Sequence, residues 1–355
     1  MKHTRIRYRD TKRRLIALLL CAVMVFPLSA CGETRMSQRQ ISAMNSAMTL
    51  TAYGKKAEIG LNAAEGVIVS MDAALDPEMP NSTVYAINHA QGQNVVVSAQ
   101  VAKMLSSALT VYKQSGGALD LSIYPLVKRW GFIDQKYYKP TEAEIAEDLS
   151  RLCFDKMTLT SFPASGSYSL TIPEYGQLTF GAAAKGCAAE NAIDAMRQAG
   201  VKSGIISLGG NVQTLGLKPD GSLWKVAIQD PEDPDGYVGV ISVGETAVVT
   251  SGPYQRNFVI KGVTYHHILN PATGHPSGSS LRSVTIICED GTMADCLSTA
   301  MFVLGETKAL NYWRQYGGFE MILVTSDDRI VCTRGLLEEF SLASSASQYR
   351  VMYVE

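Results

Sequence analysis

Five predicted strands follow one another in the second half of the chain with only short connections, and they constrain the fold more than any other feature. They lie near residues 223–229, 237–242, 246–251, 257–261 and 264–269. Strands in hairpin order pair as neighbours in antiparallel sheets. Long helical segments lie on both sides of this run. The sequence therefore predicts an α+β fold of mixed, largely antiparallel sheets with packed helices, and not a doubly wound parallel sheet.

The flanking segments show helical periodicity with clear start and stop signals. Helices are predicted from Ala57 to about Leu75, over 98–117 with Ser98 as N-cap, over 182–200 with Gly200 as the stop, and over 292–305. A polar stretch, 133–178, is predicted to be a partly helical insertion.

The N-terminus has the layout of a bacterial lipoprotein signal. A strongly basic start is followed by an apolar run of 14 residues, Leu15 to Leu28, which suits a signal h-region better than a bilayer span. The run ends in "LSAC", small residues before Cys31. We therefore predict a signal peptide over 1–30, a lipid on Cys31, a tether over 31–43 and one domain over 44–355. An ordinary signal peptide or an N-terminal membrane anchor is the alternative.

The net charge and the cysteine spacing disfavour two kinds of ligand, nucleic acid and a bound zinc ion. Residues 1–30 hold seven Lys/Arg and one Asp, so the processed chain has 25 basic against 32 acidic residues, a formal charge of −7. Such an acidic balance disfavours nucleic acid as a partner. The expected location is the outer face of the cell membrane, with the lipid as the anchor. The five remaining cysteines form no C-x-x-C pair, which disfavours a zinc site.

Two segments contain residues that could bind a cation and a phosphate. Asp295 and Thr299 are four residues apart on a predicted helix, so they share a face that could bind Mg²⁺. An exposed Asp beside a core-facing Thr would give the same pattern. "FGAAAKG" (180–186) places Lys185 in the first turn of a helix, where an anion binds readily, although close packing of the helix explains the small residues equally.

Other candidates are weaker when taken alone. The adjacent histidines 266 and 267 in "YHHILNPATGHP" must face opposite sides of a strand. Asp120 lies among apolar residues and needs a ligand or a cap as partner. Arg256 could meet an anion or be solvated, and "SLGGN" (207–211) could approach a ligand or form a simple turn.

Taken in order, the motifs resemble those of the ApbE family, the FAD:protein FMN transferases. The resemblance runs from about Met44 to about Gly305 and rests on "MNSAMTLTAYG", "GGALDLSIYPLVKRWGF", "AAAKGCAAENAIDAMRQAG", "AVVTSGPYQRNFVIKGVTYHHILNPATGHP" and "ADCLSTAMFVLG". It implies a single T-fold-related domain that cleaves FAD with Mg²⁺ and attaches FMN to a Thr or Ser hydroxyl. The implied acceptors are FMN-binding-domain proteins of membrane redox complexes.

The resemblance also assigns residues. Asp295 and Thr299 would bind Mg²⁺, together with a carbonyl near Ala182 and with Thr292. His267, Asp295 and Lys185 would act in catalysis, with His267 in acid/base work or in orienting the acceptor hydroxyl. The FAD site would be lined by Met44, Ala118, Leu119, Asp120, Thr179, Lys185 and His266.

The chain departs from the family pattern at three positions. Thr179 and Asn270 replace the usual Asp, and Glu190 stands where Asp is common. Two other functions are compatible with the motifs: a Mg²⁺-dependent FAD pyrophosphatase, and a flavin-binding lipoprotein without catalysis.

Overall fold

A computed structural model describes residues 35–355, and its centre is a nine-stranded sheet. Numbered along the chain, the strands of this region are β1 (Met36–Ala43), β2 (Ser46–Tyr53), β3 (Val95–Val97), β4 (Thr158–Phe162), β5 (Ser167–Thr171), β6 (Gly204–Leu208), β7 (Asn211–Leu215), β8 (Trp224–Gln229), β9 (Tyr237–Val243), β10 (Ala247–Ser251), β11 (Asn257–Ile260), β12 (Val263–His266), β13 (Leu281–Cys288), β14 (Glu320–Thr325), β15 (Arg329–Thr333), β16 (Phe340–Leu342) and β17 (Arg350–Val354).

The central sheet has the order β1-β2-β6-β7-β10-β13-β14-β15-β17. Its pairs are antiparallel except for β15 and β17, which are parallel. Three smaller antiparallel sheets, β16-β9-β8, β3-β5-β4 and β11-β12, complete the strands of residues 35–355.

Helices cover one face of the central sheet. The α-helices of residues 35–355 are α1 (Ala57–Leu75), α2 (Thr83–Asn88), α3 (Ala99–Ser115), α4 (Tyr124–Arg129), α5 (Glu142–Leu149), α6 (Ala184–Gln198) and α7 (Gly291–Tyr316). Helices α1, α6 and α7 pack against the sheet, and α3 packs on α7. The α+β prediction is therefore confirmed.

The alternation of side chains along each strand builds a separate core on each face. In β10, Ala247 and Val249 belong to the core under the helices, whereas Val248 between them belongs to a second core under β16-β9-β8. The molecule thus has three layers, with the central sheet buried on both faces over its middle strands. A third, mainly aromatic cluster includes Trp130, Phe132 and Phe258.

The structure differs from the predicted tether over residues 31–43. Residues 36–43 form β1, which pairs with β2 along its whole length, from Met36 opposite Tyr53 to Ala43 opposite Ser46. The polar segment is stable at the sheet edge because β2 satisfies its backbone and because Arg39 bonds Glu65 of α1 at 2.6 Å. Cys31 and the predicted signal lie outside the described residues.

Helix α7 is longer than the predicted 292–305 because the chain resumes helical geometry after Gly305. That glycine has φ +73°, a left-handed conformation that ends the first segment. The predicted insertion, 133–178, contains α5 together with strands β4 and β5. Helix α5 begins with a capping box of Thr141 and Glu144.

Two further findings concern residues 35–355. None of their helices is both long and apolar enough to cross a membrane. Their five cysteines are all free thiols: Cys153, Cys187, Cys288, Cys296 and Cys332.

Candidate active site

The side chain of Asp295 on α7 caps the first turn of α6. Its Oδ2 accepts the backbone N–H of Gly186 at 2.9 Å, and the carboxylate is only 4% exposed. Ala183, the N-cap residue of α6, makes no side-chain cap bond, so a residue from another helix supplies the missing acceptor. Burial raises the pKa of Asp295, while the charge of Lys185, the Gly186 N–H and Asn211 lower it.

This contact requires two glycines where the helices cross. A Cβ on Gly186 would lie 2.0 Å from the carbonyl oxygen of Gly291, and a Cβ on Gly291 would lie 2.9 Å from the carbonyl oxygen of Gly186. Gly186, at the end of the segment 180–186, therefore serves close packing of α6 on α7, whereas the packing interpretation of that segment expected a helix close to a sheet.

The oxygen atoms predicted to bind Mg²⁺ fit a hard cation. Because Gly186 donates to Asp295, its N–H does not bond the carbonyl of Ala182, one turn earlier. Thr299 lies one turn after Asp295 and is half-exposed, with its hydroxyl 3.5 Å from Oγ of Ser251. A buried carboxylate, a carbonyl and a hydroxyl are ligand types that Mg²⁺ accepts. Residues 35–355 contain no cluster of three His, Cys, Asp or Glu side chains that could hold a metal, so the set rests on one carboxylate.

Thr292 contacts Glu190 of α6. Its hydroxyl, fully buried, donates to Oε2 of Glu190 at 3.0 Å, and its backbone N–H points to the same oxygen at 3.4 Å. The Thr292 side chain therefore lies in the junction between α6 and α7, and its role in cation binding stays a prediction.

Lys185 lies in the first turn of α6 and faces the turn between β6 and β7. Its Nζ donates to the carbonyl of Gly209 at 3.2 Å. Burial lowers the pKa of Lys185, the Asp295 carboxylate opposes this shift, and the Arg256 guanidinium adds to it. The segments 180–186 and 207–211, both predicted as possible ligand sites, are thus neighbours, and the Lys185 ammonium lies beside the glycine turn of "SLGGN".

His267 is held in one tautomer. Its Nδ1 lies 3.1 Å from the Arg256 carbonyl, which can only accept, so Nδ1 carries the proton and Nε2 holds a lone pair. Burial, with smaller contributions from the charges of Arg256, Lys185 and His266, lowers the pKa of His267 to about 3, although the hydrogen bond to the Arg256 carbonyl opposes the shift. The imidazole is therefore neutral near pH 7.

His266 faces the opposite side of β12, as the alternation of strand residues requires. Its Nε2 donates to the carbonyl of Ser277 at 3.1 Å, and its ring meets Phe302 edge-on. The other ring nitrogen, Nδ1, is buried and has no hydrogen-bond partner among the described residues. A buried acceptor without a donor is costly, which fits an atom that a ligand completes.

Met44 lies in the tight turn between β1 and β2. It has φ +49°, its N–H donates to Asp72 at 3.0 Å, and its carbonyl accepts from Arg256 at 3.4 Å. Arg256 is therefore half-buried against a neighbouring turn instead of being solvated. Burial also lowers the pKa of Arg256.

The segment 118–120 lies beside Thr179. The N–H of Thr179 donates to the Leu121 carbonyl at 2.9 Å, and its hydroxyl accepts from Gly181 at 3.3 Å. Asp120 accepts from the N–H of Ser122 at 2.7 Å and from its hydroxyl at 2.5 Å. Asp120 thus caps the short turn that follows it, which is one of its two expected roles. Ala118 and Leu119 are buried next to it.

Sequence reasoning missed several polar residues that complete this region. Ser251 ends β10 and bonds Ser298 at 2.8 Å beside Thr299, and Asn211 lies against Asp295. Ser251 belongs to no pattern with chemical meaning in the sequence, whereas Asn211 ends the "SLGGN" segment, for which approach to a ligand was one of two interpretations. Only its position at the end of a predicted strand pointed to Ser251.

The chain is similar to known proteins over most of its length. The model of the ApbE family matches residues 44–323. The FAD:protein FMN transferase of Treponema pallidum (strain Nichols) is 29% identical over 343 residues, which cover 91% of this chain and 93% of the relative. The FAD:protein FMN transferase of Klebsiella pneumoniae (strain 342) is 32% identical over 75% of this chain and 82% of its own length.

Solved structures share the fold. The ApbE protein of Thermotoga maritima has a TM-score of 0.75 at 24% identity, and the match covers 89% of this chain and 99% of that one. The apo form of the flavinyl transferase ApbE from Pseudomonas stutzeri has a TM-score of 0.71 at 25% identity, with 82% and 92% covered.

Proposed function

Because the chain belongs to the ApbE family, we propose that it is a Mg²⁺-dependent FAD:protein FMN transferase. In this reaction the P–O–P linkage of FAD breaks, and a bond forms between the FMN phosphorus and a Thr or Ser oxygen of an acceptor protein. AMP leaves with the electron pair of the broken bond, and the proton of the acceptor hydroxyl goes to a base.

The observation that most supports the proposal is the convergence of cationic and neutral groups around Asp295. His267 Nδ1 donates to the Arg256 carbonyl at 3.1 Å, and the charges of Arg256 and Lys185 both lower the pKa of His267. Lys185 also acts on Asp295. A phosphate-handling site needs such cations next to a base and a carboxylate.

Asp295, the Ala182 carbonyl and Thr299 would hold the Mg²⁺. A cation bound there supplies charge neutralisation for the phosphoryl oxygens. The carboxylate is placed before any cation binds, because Gly186 fixes one of its oxygens at 2.9 Å. One of the three proposed ligands is therefore held in place before a cation binds.

Lys185 and Arg256 would bind the pyrophosphate of FAD. Both have pKa values that burial lowers, so an anion beside them offsets the cost of their desolvation. The charges of Arg256 and Lys185 lower the pKa of His267, and the negative charge of the bound pyrophosphate would offset this effect. Substrate binding thus raises the basicity of the Nε2 lone pair, which we assign to accepting the proton of the acceptor hydroxyl.

The remaining predicted residues would bind the rest of FAD. The unpartnered Nδ1 of His266 can accept a hydrogen bond from the nucleotide. Met44, Thr179 and the segment 118–120 line turns next to Arg256 and to the start of α6. Because Asp120 already bonds Ser122, its share in FAD binding would use the carboxylate oxygen that Ser122 does not occupy.

We further propose that the protein is anchored to the outer face of the cell membrane through a lipid on Cys31. FMN-binding-domain proteins of membrane redox complexes are its proposed acceptors. Labelling with a radioactive fatty acid tests the anchor: the wild type should incorporate the label and Cys31→Ser should not. Label on Cys31→Ser would contradict the assignment.

The activity test uses the chain from residue 32 with FAD, Mg²⁺ and a purified FMN-binding domain. After denaturing electrophoresis, flavin fluorescence on the acceptor should appear, and it should disappear with EDTA or with the acceptor Thr changed to Val. Free FMN and AMP without a fluorescent band would show a pyrophosphatase instead. Intact FAD would show a binding protein without catalysis.

A further inference from the structure

We propose that Glu190 is a positioning residue, which holds Thr292 so that Asp295 is presented correctly for cation binding. The inference rests on the proposed cation site of the transferase. It concerns residues behind that site, in the junction of α3, α6 and α7.

The junction is one connected set of charged and polar contacts. Lys103 of α3 forms an ion pair with Oε1 of Glu190 on α6, and a second one at 3.1 Å with Asp290 at the start of α7. The other carboxylate oxygen of Glu190 accepts from the Thr292 hydroxyl at 3.0 Å. Asp290 also caps α7 by accepting the N–H of Met293 at 2.8 Å.

Two hydrogen bonds attach α7 to α6, one between Asp295 and Gly186 and one between Thr292 and Glu190. Glu190 lies one turn after Gly186, and Thr292 lies about one turn before Asp295. The Gly186–Asp295 bond and the Glu190–Thr292 bond therefore lie side by side along the crossing. Packing already restrains α7 against the sheet and α3, and two bonds at different points fix its rotation and position relative to α6 more closely than one bond does.

The burial of the junction makes the second bond effective. Thr292 is fully buried, and the Glu190 side chain is only 24% exposed. If Glu190 is removed, the Thr292 hydroxyl is left without its acceptor in a buried place, so the start of α7 must move to satisfy it. That movement displaces Asp295, which is on the same helical segment before Gly305.

Mg²⁺ demands near-ideal geometry, so a small displacement of one ligand weakens its binding. Partners that hydrogen-bond a metal ligand typically change metal affinity by about 10- to 100-fold when they are removed, and Glu190 acts one step further away, through Thr292, so the lower end of that range applies. We therefore expect about a tenfold loss of cation affinity, with little change of the turnover rate at saturating Mg²⁺.

The test measures Mn²⁺ binding to the chain from residue 32 by electron paramagnetic resonance, without FAD or acceptor. Glu190→Ala and Thr292→Val should each raise the Kd about tenfold. Glu190→Gln and Thr292→Ser keep the acceptor and the donor, so they should stay within about threefold of the wild type. If one bond is responsible, the double variant Glu190→Ala/Thr292→Val should bind no worse than either single variant.

Glu306→Ala is the matched control for Glu190→Ala. Glu306 is on α7 beyond Gly305 and pairs with Arg329 at 2.7 Å, with a side chain 22% exposed. Its loss breaks a comparable ion pair on the same helix without touching the junction. The control should lower the melting temperature but leave the Kd for Mn²⁺ unchanged.

Transfer assays on the same variants complete the experiment. The Mg²⁺ concentration for half-maximal rate should rise about tenfold in Glu190→Ala, while kcat at saturation stays within about twofold. An unchanged Kd in Glu190→Ala, or an equal rise in Glu306→Ala, overturns the proposal, as does a wild type that binds no Mn²⁺. Tight Mn²⁺ binding that Glu190→Ala weakens, without any flavin transfer, refutes the transferase and supports the positioning role.

Discussion

Oδ2 of Asp295 lies 2.9 Å from the backbone nitrogen of Gly186, so one carboxylate both caps α6 and faces the proposed cation site. Substitutions of Asp295 can separate helix capping from cation binding. Capping needs only an acceptor oxygen, whereas cation binding needs the negative charge.

We expect Asp295→Asn to fold with nearly wild-type stability, because the amide oxygen can still accept the Gly186 N–H. Asp295→Ala loses the cap and should be less stable by about 1–2 kcal/mol, while remaining folded. Both variants should lose Mg²⁺-dependent turnover. Urea unfolding and the transfer assay measure the two effects, and near-native activity with normal Mg²⁺ dependence in either variant would refute the metal assignment.

The crossing of α6 and α7 should not tolerate a methyl group at Gly186. A Cβ there would lie 2.0 Å from the Gly291 carbonyl, so we expect Gly186→Ala to lose about 3 kcal/mol or more through forced separation of the helices. Gly66→Ala is the control, because an added Cβ on this exposed glycine of α1 meets nothing within 4 Å. It should stabilise the protein by about 0.5–1 kcal/mol. Equal thermal stability of the two variants would contradict the tight crossing.

Local sequence patterns predicted the regular elements well. The segment 57–75 is a helix at the predicted residues, and Ser98 is the N-cap of α3 as expected. Edge strand β1 escaped prediction because its polar residues lack an apolar alternation. Its stability comes from β2 and from the bond between Arg39 and Glu65, which no local pattern reveals.

In the candidate site, too, the sequence predicts the local relationships between residues but not the contacts between distant segments. The shared face of Asp295 and Thr299 follows from helical spacing. The partner of Asp295, however, lies 109 residues away along the chain, and the partner of Thr292 lies 102 residues away. Only tertiary packing brings these pairs together, so spacing alone could not assign Thr292 to the helix junction.

Lys185 should be more important for activity than for stability. Burial lowers its pKa, so the charged form is costly in the free protein. Lys185→Met keeps the length of the side chain without the charge, and we expect a melting temperature equal to or above that of the wild type. The transfer rate should fall about 100-fold or more, because the proposed anion partner is gone. A variant with wild-type kinetics would remove Lys185 from the proposed site.

The folded protein should lose stability below pH 6.5 because of His267. The pKa of His267 is about 3 in the folded chain, against about 6.5 for an unfolded histidine. Between these values the unfolded state binds more protons than the folded state. The contribution of His267 to the free energy of unfolding is therefore constant above pH 6.5 and falls as the pH drops toward 3.

Replacement of His267 by Asn tests this, because the Asn amide can still donate to the Arg256 carbonyl but does not titrate. Between pH 7.5 and pH 5 the full shift corresponds to about 2 kcal/mol, and partial solvent contact reduces this to about 1 kcal/mol. His267→Asn should lose that much less stability than the wild type in urea unfolding at the two pH values. His89 is exposed, so His89→Asn should keep the wild-type pH dependence. If all three proteins show the same dependence, His267 is solvated and titrates normally, and its neutral form is not fixed by the fold.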